Sequence, residues 1–194
     1  LTTGAILFAV TTLAGQRLVL AAAAGCLLFG GLITLHLTEE DVSAIGAYLS
    51  FLAALGIWGA VEISFLGGLI TGPNRKALPS ELTGLPRFWS ATRGVLWHEI
   101  FILALGFLLI IAFAQGPNRI GLITYGILWV MRLSAKLNLY LGVRNTGETM
   151  LPAHLRYMSS YFAHRPMNLL FPFSITVGTL LSAWLFHKAF ADGA

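Results

Sequence analysis

The sequence predicts an all-α fold, a polytopic transmembrane bundle of about six helices, and three observations carry the prediction. First, the 194 residues are 57% hydrophobic and only 10% charged, with a mean hydropathy of +0.79, whereas a soluble domain carries roughly 25% charged residues. Second, runs of about 20 apolar residues recur along the chain, each long enough to cross roughly 30 Å of hydrocarbon as a helix. Third, the alternating ten-residue segments of a membrane β-barrel are absent.

Charges and Gly/Pro turns divide the chain into six apolar segments forming a single transmembrane domain over residues 1–194. The first, 1–14, is too short to span unless upstream residues complete it. There is no initiator Met and Leu1 is already apolar, so the native N-terminus is expected upstream and a signal peptide cannot be judged. The second segment runs 18–37 and the third 43–70, separated by the acidic turn Glu39, Glu40 and Asp41. The fourth covers 95–114, the fifth 120–143 and the sixth 169–191, with Pro172 near the start of the last. Gly72-Pro73 and Gly116-Pro117 place glycine at a C-terminal cap with proline behind it. The string GPNR thus occurs at 72–75 and again at 116–119, with one crossing between the copies. It is read as shared helix-stop chemistry, with an inverted repeat as the alternative. The single cysteine, Cys26, lies inside an apolar run and excludes an intrachain disulfide.

The net charge of +4 would suggest nucleic acid in a soluble protein. Here the basic residues gather in loops, which points to topology and anionic headgroups and excludes nucleic acid as a partner. Arg17, Arg75, Lys76, Arg87, Arg93, Arg144, Arg156 and Arg165 fall on one side; Arg119 and Lys188 fall on the other. The loops 72–94 and 144–168 are therefore expected in the cytoplasm. In the second loop Leu151, Leu155, Met158 and Phe162 recur at helical spacing, which predicts an amphipathic helix on the inner surface, with Thr149 as its cap and Pro152 in its first turn. The first loop sets Leu82, Leu85, Phe88 and Trp89 among basic residues in a weaker version of that pattern. Headgroup anchoring or docking of a partner protein would use either loop.

Four ionisable residues fall within the expected spans: Glu62, Glu99, Arg132 and Lys136. Each isolated charge would cost about 2.5–3.5 kcal/mol or more near the bilayer centre, so an internal cluster joining the third, fourth and fifth helices is expected. At 1.5 Å per residue Glu62 lies about 15 Å from its helix end, Arg132 about 17 Å, Lys136 about 11 Å and Glu99 about 6 Å. Arg132 and Lys136, four apart, share a face. Such a cluster serves either as a clamp fixing helix register or as an ion, proton or anion site. The paired broken helices of a transporter are not evident.

His98-Glu99 begins like HExxH, but Ile102 replaces the second histidine, and no metal site is expected. His98, and less so His36 and His187, are candidate ligands of a metal or of chlorophyll magnesium, or hydrogen-bonded interfacial residues. Gly56, Ala60, Ser64 and Gly68 form a seam of small residues at every fourth position, suited to close helix packing within the protein or against a partner's helix.

The stretch LWVMRLSAKLNLYLGVRN from Leu128 to Asn145, followed by LPAHLRYMSSYF and RPMNLLFPFS, together with WGAVEISFLGGLITGP and LWHEIFIL, resembles the PuhE family of photosynthetic complex assembly proteins of purple-type phototrophic bacteria. The resemblance covers about Trp58 to Thr176; the N-terminal quarter matches only in hydrophobic character. It implies a non-enzymatic multi-pass protein of the bacterial inner membrane, cytoplasmic or intracytoplasmic, associated with building the reaction centre and light-harvesting apparatus or with bacteriochlorophyll supply. It carries no catalytic residues to transfer. Glu62, His98, Glu99, Arg132, Lys136 and Asn138 fall in its motif blocks. Arg144, Asn145, Arg156, Arg165 and Asn168 match its cytoplasmic part, where contact with a partner subunit or headgroups is expected. The leading reading is a scaffold binding reaction-centre or light-harvesting polypeptides within membrane lipid. A bacteriochlorophyll-handling protein and an ion-coupled transporter using the intramembrane charges are the alternatives. No cofactor is required by the sequence; bacteriochlorophyll and bound lipid are the candidates.

Overall fold

A computed structural model describes residues 2–13, 15–79 and 81–191. Its elements are α1 (Thr2–Thr12), α2 (Arg17–Thr38), α3 (Ala44–Leu66), α4 (Gly84–Phe113), α5 (Ile120–Leu141) and α6 (Leu170–Ala191), with 3₁₀ turns at Glu148–Met150 and Ala153–Tyr161. Regular structure among the described residues is helical. Five of these helices, all but α1, are long and apolar enough to cross a membrane, which fits a multi-pass membrane protein. Leu1 and Ala14, the ends of the first expected span, lie outside the described residues. The chain divides into two compact units, residues 1–130 with 147–161 and residues 131–146 with 162–194; α5 gives its first half to one and its second half to the other.

In the first unit the elements follow from capping and small-residue packing. The Ser43 hydroxyl caps α3 by accepting from the Gly46 N–H at 3.1 Å, a cap worth about 1 kcal/mol. Asp41 accepts in turn from the Ser43 N–H at 2.9 Å. The small residues of α3 bring it against α2: a methyl added to Gly31 would meet the Ala53 carbonyl at 2.8 Å, and one on Gly56 would meet the Leu27 carbonyl at 3.6 Å. Ala60 and Ile63 pack with Val10, Leu20 and Ala24. A second cluster gathers Leu35, Ala53, Ile57 and Val61 with Ile102, Leu105, Leu109 and Phe113 of α4 and Tyr125 of α5. Tyr125 donates to the Ile102 carbonyl at 2.9 Å, which satisfies a hydroxyl that would otherwise be costly to bury.

Two expected boundaries move. The third span ends at Leu66 rather than residue 70: Gly67 caps α3 by donating to the Ile63 carbonyl, and Gly68 turns the chain at φ +71°, a conformation that suits glycine. The fourth helix starts at Gly84, eleven residues before the expected 95, so much of the first expected loop is helical; Pro86 is tolerated in its first turn. At 30 residues it is about 45 Å long, more than hydrocarbon thickness requires. The expected amphipathic α-helix is a 3₁₀ segment, with Thr149 inside the preceding turn and Pro152 before it. GPNR, read as helix-stop chemistry, does not stop α3, which ends upstream at Leu66, whereas α4 ends at Phe113 with Ala114 as its cap, one residue short of the expected 114 and just before the second copy.

In the second unit Gly142 (φ +117°) closes α5. The Asn168 amide donates to the Gly142 carbonyl at 2.8 Å and to that of Asn138 at 3.3 Å, while its side-chain oxygen accepts from the Phe171 N–H at 3.1 Å. Asn168 thereby ties the end of α5 to the start of α6. Phe173, Leu180 and Phe186 of α6 are exposed, as suits contact with lipid.

Candidate functional site

The most elaborately built region of the first unit lies at the N-terminal end of α4. There the 67–79 loop and the Ala153–Tyr161 segment close on one another. The His154 imidazole sits directly over Gly68, 2.8 Å from where a Cβ would stand. The loop then runs along α4, the Thr71 carbonyl accepting from the His98 N–H at 2.9 Å and the Asn74 N–H donating to the Arg93 carbonyl at 3.3 Å. A Cβ on Gly72 would collide with the Arg93 carbonyl and come within 2.6 Å of Gly94, so backbone lies on backbone.

Beyond this crossing the Asn74 amide donates to the Ser90 hydroxyl at 3.1 Å and the Tyr161 hydroxyl at 2.9 Å. Tyr161 passes its own proton to the Lys76 carbonyl at 3.0 Å. Arg87 donates to the Tyr161 carbonyl at 2.9 Å, and the Leu78 N–H donates to the Ser160 hydroxyl at 2.8 Å. In the 3₁₀ segment Leu155, Met158 and Tyr161 are buried at a spacing of three, the period of that helix. Leu155 and Met158 close over Phe65, with Val95, Leu151 and Tyr157 around them. The apolar face expected on the membrane surface is thus spent inside the protein. Burial raises the pKa of the Tyr157 phenol, against the opposing pull of Arg75.

His98 lies beneath this clasp, completely buried, its ring 4.5 Å from that of Phe65. A pigment ring on this imidazole would have to displace packed protein. Glu62 lies one turn deeper than Phe65 and four residues from the end of α3, about 6 Å instead of the expected 15 Å, because α3 stops at Leu66. Glu99 stands fifteen residues into α4, about 22 Å, rather than near a helix start. Arg132 and Lys136 sit nine and five residues from the end of α5. All four are half-buried and each is engaged in an interaction. The two acids lie in the first unit and the two bases in the second.

The seam residues separate. Ala60 and Ser64 are buried and Gly56 faces α2, but Gly68 is past the helix end and meets His154. Arg144, Asn145 and Arg156 are exposed. Arg165 and Asn168 have internal duties that the expected partner or headgroup role did not foresee: the aliphatic stem of Arg165 covers Gly142, and Asn168 joins α5 to α6. His36 is 3.4 Å from Glu39, and His187 is exposed. Among the described residues no group of three or more His, Cys, Asp or Glu is arranged to hold a metal.

Asn74, Ser90, Tyr161 and Thr71 escaped the sequence reading as parts of a site. The one available signal was the asparagine shared by the two GPNR strings. At the second string Asn118 donates to the Thr38 and Asp41 carbonyls, both at 2.9 Å.

A family model described as "Protein of unknown function (DUF3623)" matches residues 1–194. The chain is 39% identical over 163 residues to the "Uncharacterized 30.4 kDa protein in puhA 5'region" of Rhodobacter capsulatus, a match covering 84% of this chain and 60% of that protein. No solved structure matches.

Proposed function

The chain belongs to the DUF3623 family, and from that membership we propose that it is a non-enzymatic, photosynthesis-related protein of the bacterial inner membrane that helps assemble the photosynthetic complexes. In this role it binds reaction-centre or light-harvesting polypeptides through exposed helix faces and through the clasp end, which faces the cytoplasm. The observation that carries the photosynthetic part is the relative described by its position in the puhA 5' region. The resemblance of the 128–176 stretch to PuhE supports the assembly role. The charge bias supports the orientation, since basic loops are retained on the cytoplasmic side. Burial of His98 favours a scaffold over axial ligation of bacteriochlorophyll by that imidazole.

Affinity purification in mild detergent from a phototrophically grown host, with mass-spectrometric identification of what accompanies the protein, tests the proposal. Reaction-centre or antenna polypeptides should be recovered, and their absence contradicts it. An absorption spectrum of the same preparation tests the pigment alternative: bound bacteriochlorophyll lost on His98→Ala would replace the scaffold reading.

A further inference from the structure

Beside the clasp, within the first unit, a groove of about 730 Å³ opens where the 73–82 loop meets the first turns of α4. Its volume is in the range of small-ligand sites. Asn74 and Ser90, fixed by the Tyr161 network, line it together with Leu82 and Trp89. Lys76 and Arg93 both line it. Among the described residues neither side chain has an ion-pair partner, and Glu81, the acid in this loop, is not part of the lining.

We propose that this groove binds the headgroup of an anionic phospholipid, its phosphate between Lys76 and Arg93 and its glycerol and upper acyl region against Leu82 and Trp89. The inference rests on the membrane-spanning character of the helices and is independent of the photosynthetic role. Two observations select a lipid over another anion. α4 is longer than a bilayer crossing needs, and its first turns, which precede its apolar stretch, leave Leu85 74%, Trp89 59% and Phe88 40% exposed next to the groove. Exposed tryptophan beside basic residues is the chemistry of a membrane–water interface. A free phosphate would satisfy the two cations and leave the apolar wall wet, whereas a phospholipid satisfies both.

The test uses the full chain purified in detergent, titrated with phosphatidylglycerol, phosphatidylcholine or inorganic phosphate and read by native mass spectrometry. One phosphatidylglycerol should be retained in preference to phosphatidylcholine. Lys76→Gln or Arg93→Gln should each weaken it about fivefold, the effect expected of one cation near an anionic headgroup, and Arg119→Gln at the other end of α4 should leave it unchanged. Trp89→Ala should weaken phosphatidylglycerol without affecting inorganic phosphate. Both charge variants alter exposed side chains, and unchanged circular dichroism and gel-filtration profiles establish that they fold. Equal retention of the two lipids, or full retention by the Lys76→Gln/Arg93→Gln double variant, overturns the proposal. Displacement of the lipid by equimolar inorganic phosphate, with no effect of Trp89→Ala, makes this a free-anion site and overturns it too. So does an acidic peptide that co-purifies in the groove and resists exchange by lipid.

Discussion

At residues 72–75 and 116–119 the chain carries the same four letters, GPNR, before and after α4. In both places the glycine lets the backbone press against a neighbouring segment, Arg93–Gly94 in the first case and the Glu39 carbonyl in the second. Each asparagine amide then straps that neighbour. The materials differ. Asn118 is 8% exposed and donates to two backbone carbonyls, groups that no mutation of the partner residue removes. Asn74 is half-buried and donates to the hydroxyls of Ser90 and Tyr161 and, at 3.3 Å, to the Ser90 carbonyl. At both ends the main chains also bond directly, the Asn74 N–H to the Arg93 carbonyl and the Asn118 N–H to the Glu39 carbonyl, so the difference lies in the asparagine side chains. The 72–75 end adds a network of side-chain hydroxyls, and it lies beside the basic groove and the buried His98. The same motif therefore uses carbonyl partners for its asparagine side chain at one end and a mixed network of hydroxyls at the other, and binding is expected at the clasp, beside the groove.

The largest expected effect tests the glycines. Gly72→Ala should destabilise by about 3 kcal/mol or more, because the new methyl meets rigid backbone, and Gly116→Ala by about 1–2 kcal/mol, where the contact is looser. Unfolding of both in the same mixed micelles measures the pair, and equal losses would break the distinction. Next, Asn118→Ala removes bonds to two carbonyls, of which that of Thr38 keeps the Asp41 N–H, and should cost about 2 kcal/mol, whereas Asn74→Ala, whose hydroxyl partners can turn to water, should cost about 1 kcal/mol. A reversal of that order would make the hydroxyl network the stronger strap.

Tyr161→Phe removes the bond to the Lys76 carbonyl, worth about 1 kcal/mol. It should speed proteolysis within 75–83 by about fivefold where cleavage follows the open population, leaving 115–119 unaffected. Acceleration at both turns would mean that the ends are not independent.

The smallest effects concern pH, and the two ends should respond in opposite directions. The Tyr157 pKa is raised by burial, so its contribution is fully present below the ordinary phenol value and is lost as the pH rises through the folded one. Asp41 is lowered by its hydrogen bonds to Ser43; its contribution is present above the ordinary carboxylate value and is lost as the pH falls through the lowered one. Tyr157→Phe should flatten the alkaline side of the stability profile and Asp41→Asn the acid side. Ultraviolet titration of tyrosinate and unfolding midpoints across pH measure them separately.

The apolar spans were legible because a bilayer imposes a length and composition that no local preference overrides. Their boundaries were less so. Gly67-Gly68 ended α3 before Gly72-Pro73 was reached, since a φ of +71° was needed at Gly68 to turn the chain. Arg87, Ser90 and Arg93 looked like loop residues, yet they are helical and sit beside a docked segment. The periodicity of Leu155 and Met158 was visible, but not that the segment is 3₁₀ and that the pair packs against Phe65, nearly a hundred residues away. His98 and the four charges were recognisable as unusual from depth alone. Their partners were not, because partnership is set by helix rotation and by where each helix ends. Asn74 and Asn118 were hidden in a motif that resembles a helix stop.

The central claim is that the clasp end engages photosynthetic polypeptides while the opposite end of α4 does not. A photoreactive residue placed at Leu85, beside the clasp, or at Arg119 in phototrophically grown cells tests it directly. Crosslinks to reaction-centre or antenna polypeptides from position 85, with few from 119, are the predicted result. Crosslinks to such polypeptides from 119 alone, or from neither position, would contradict it.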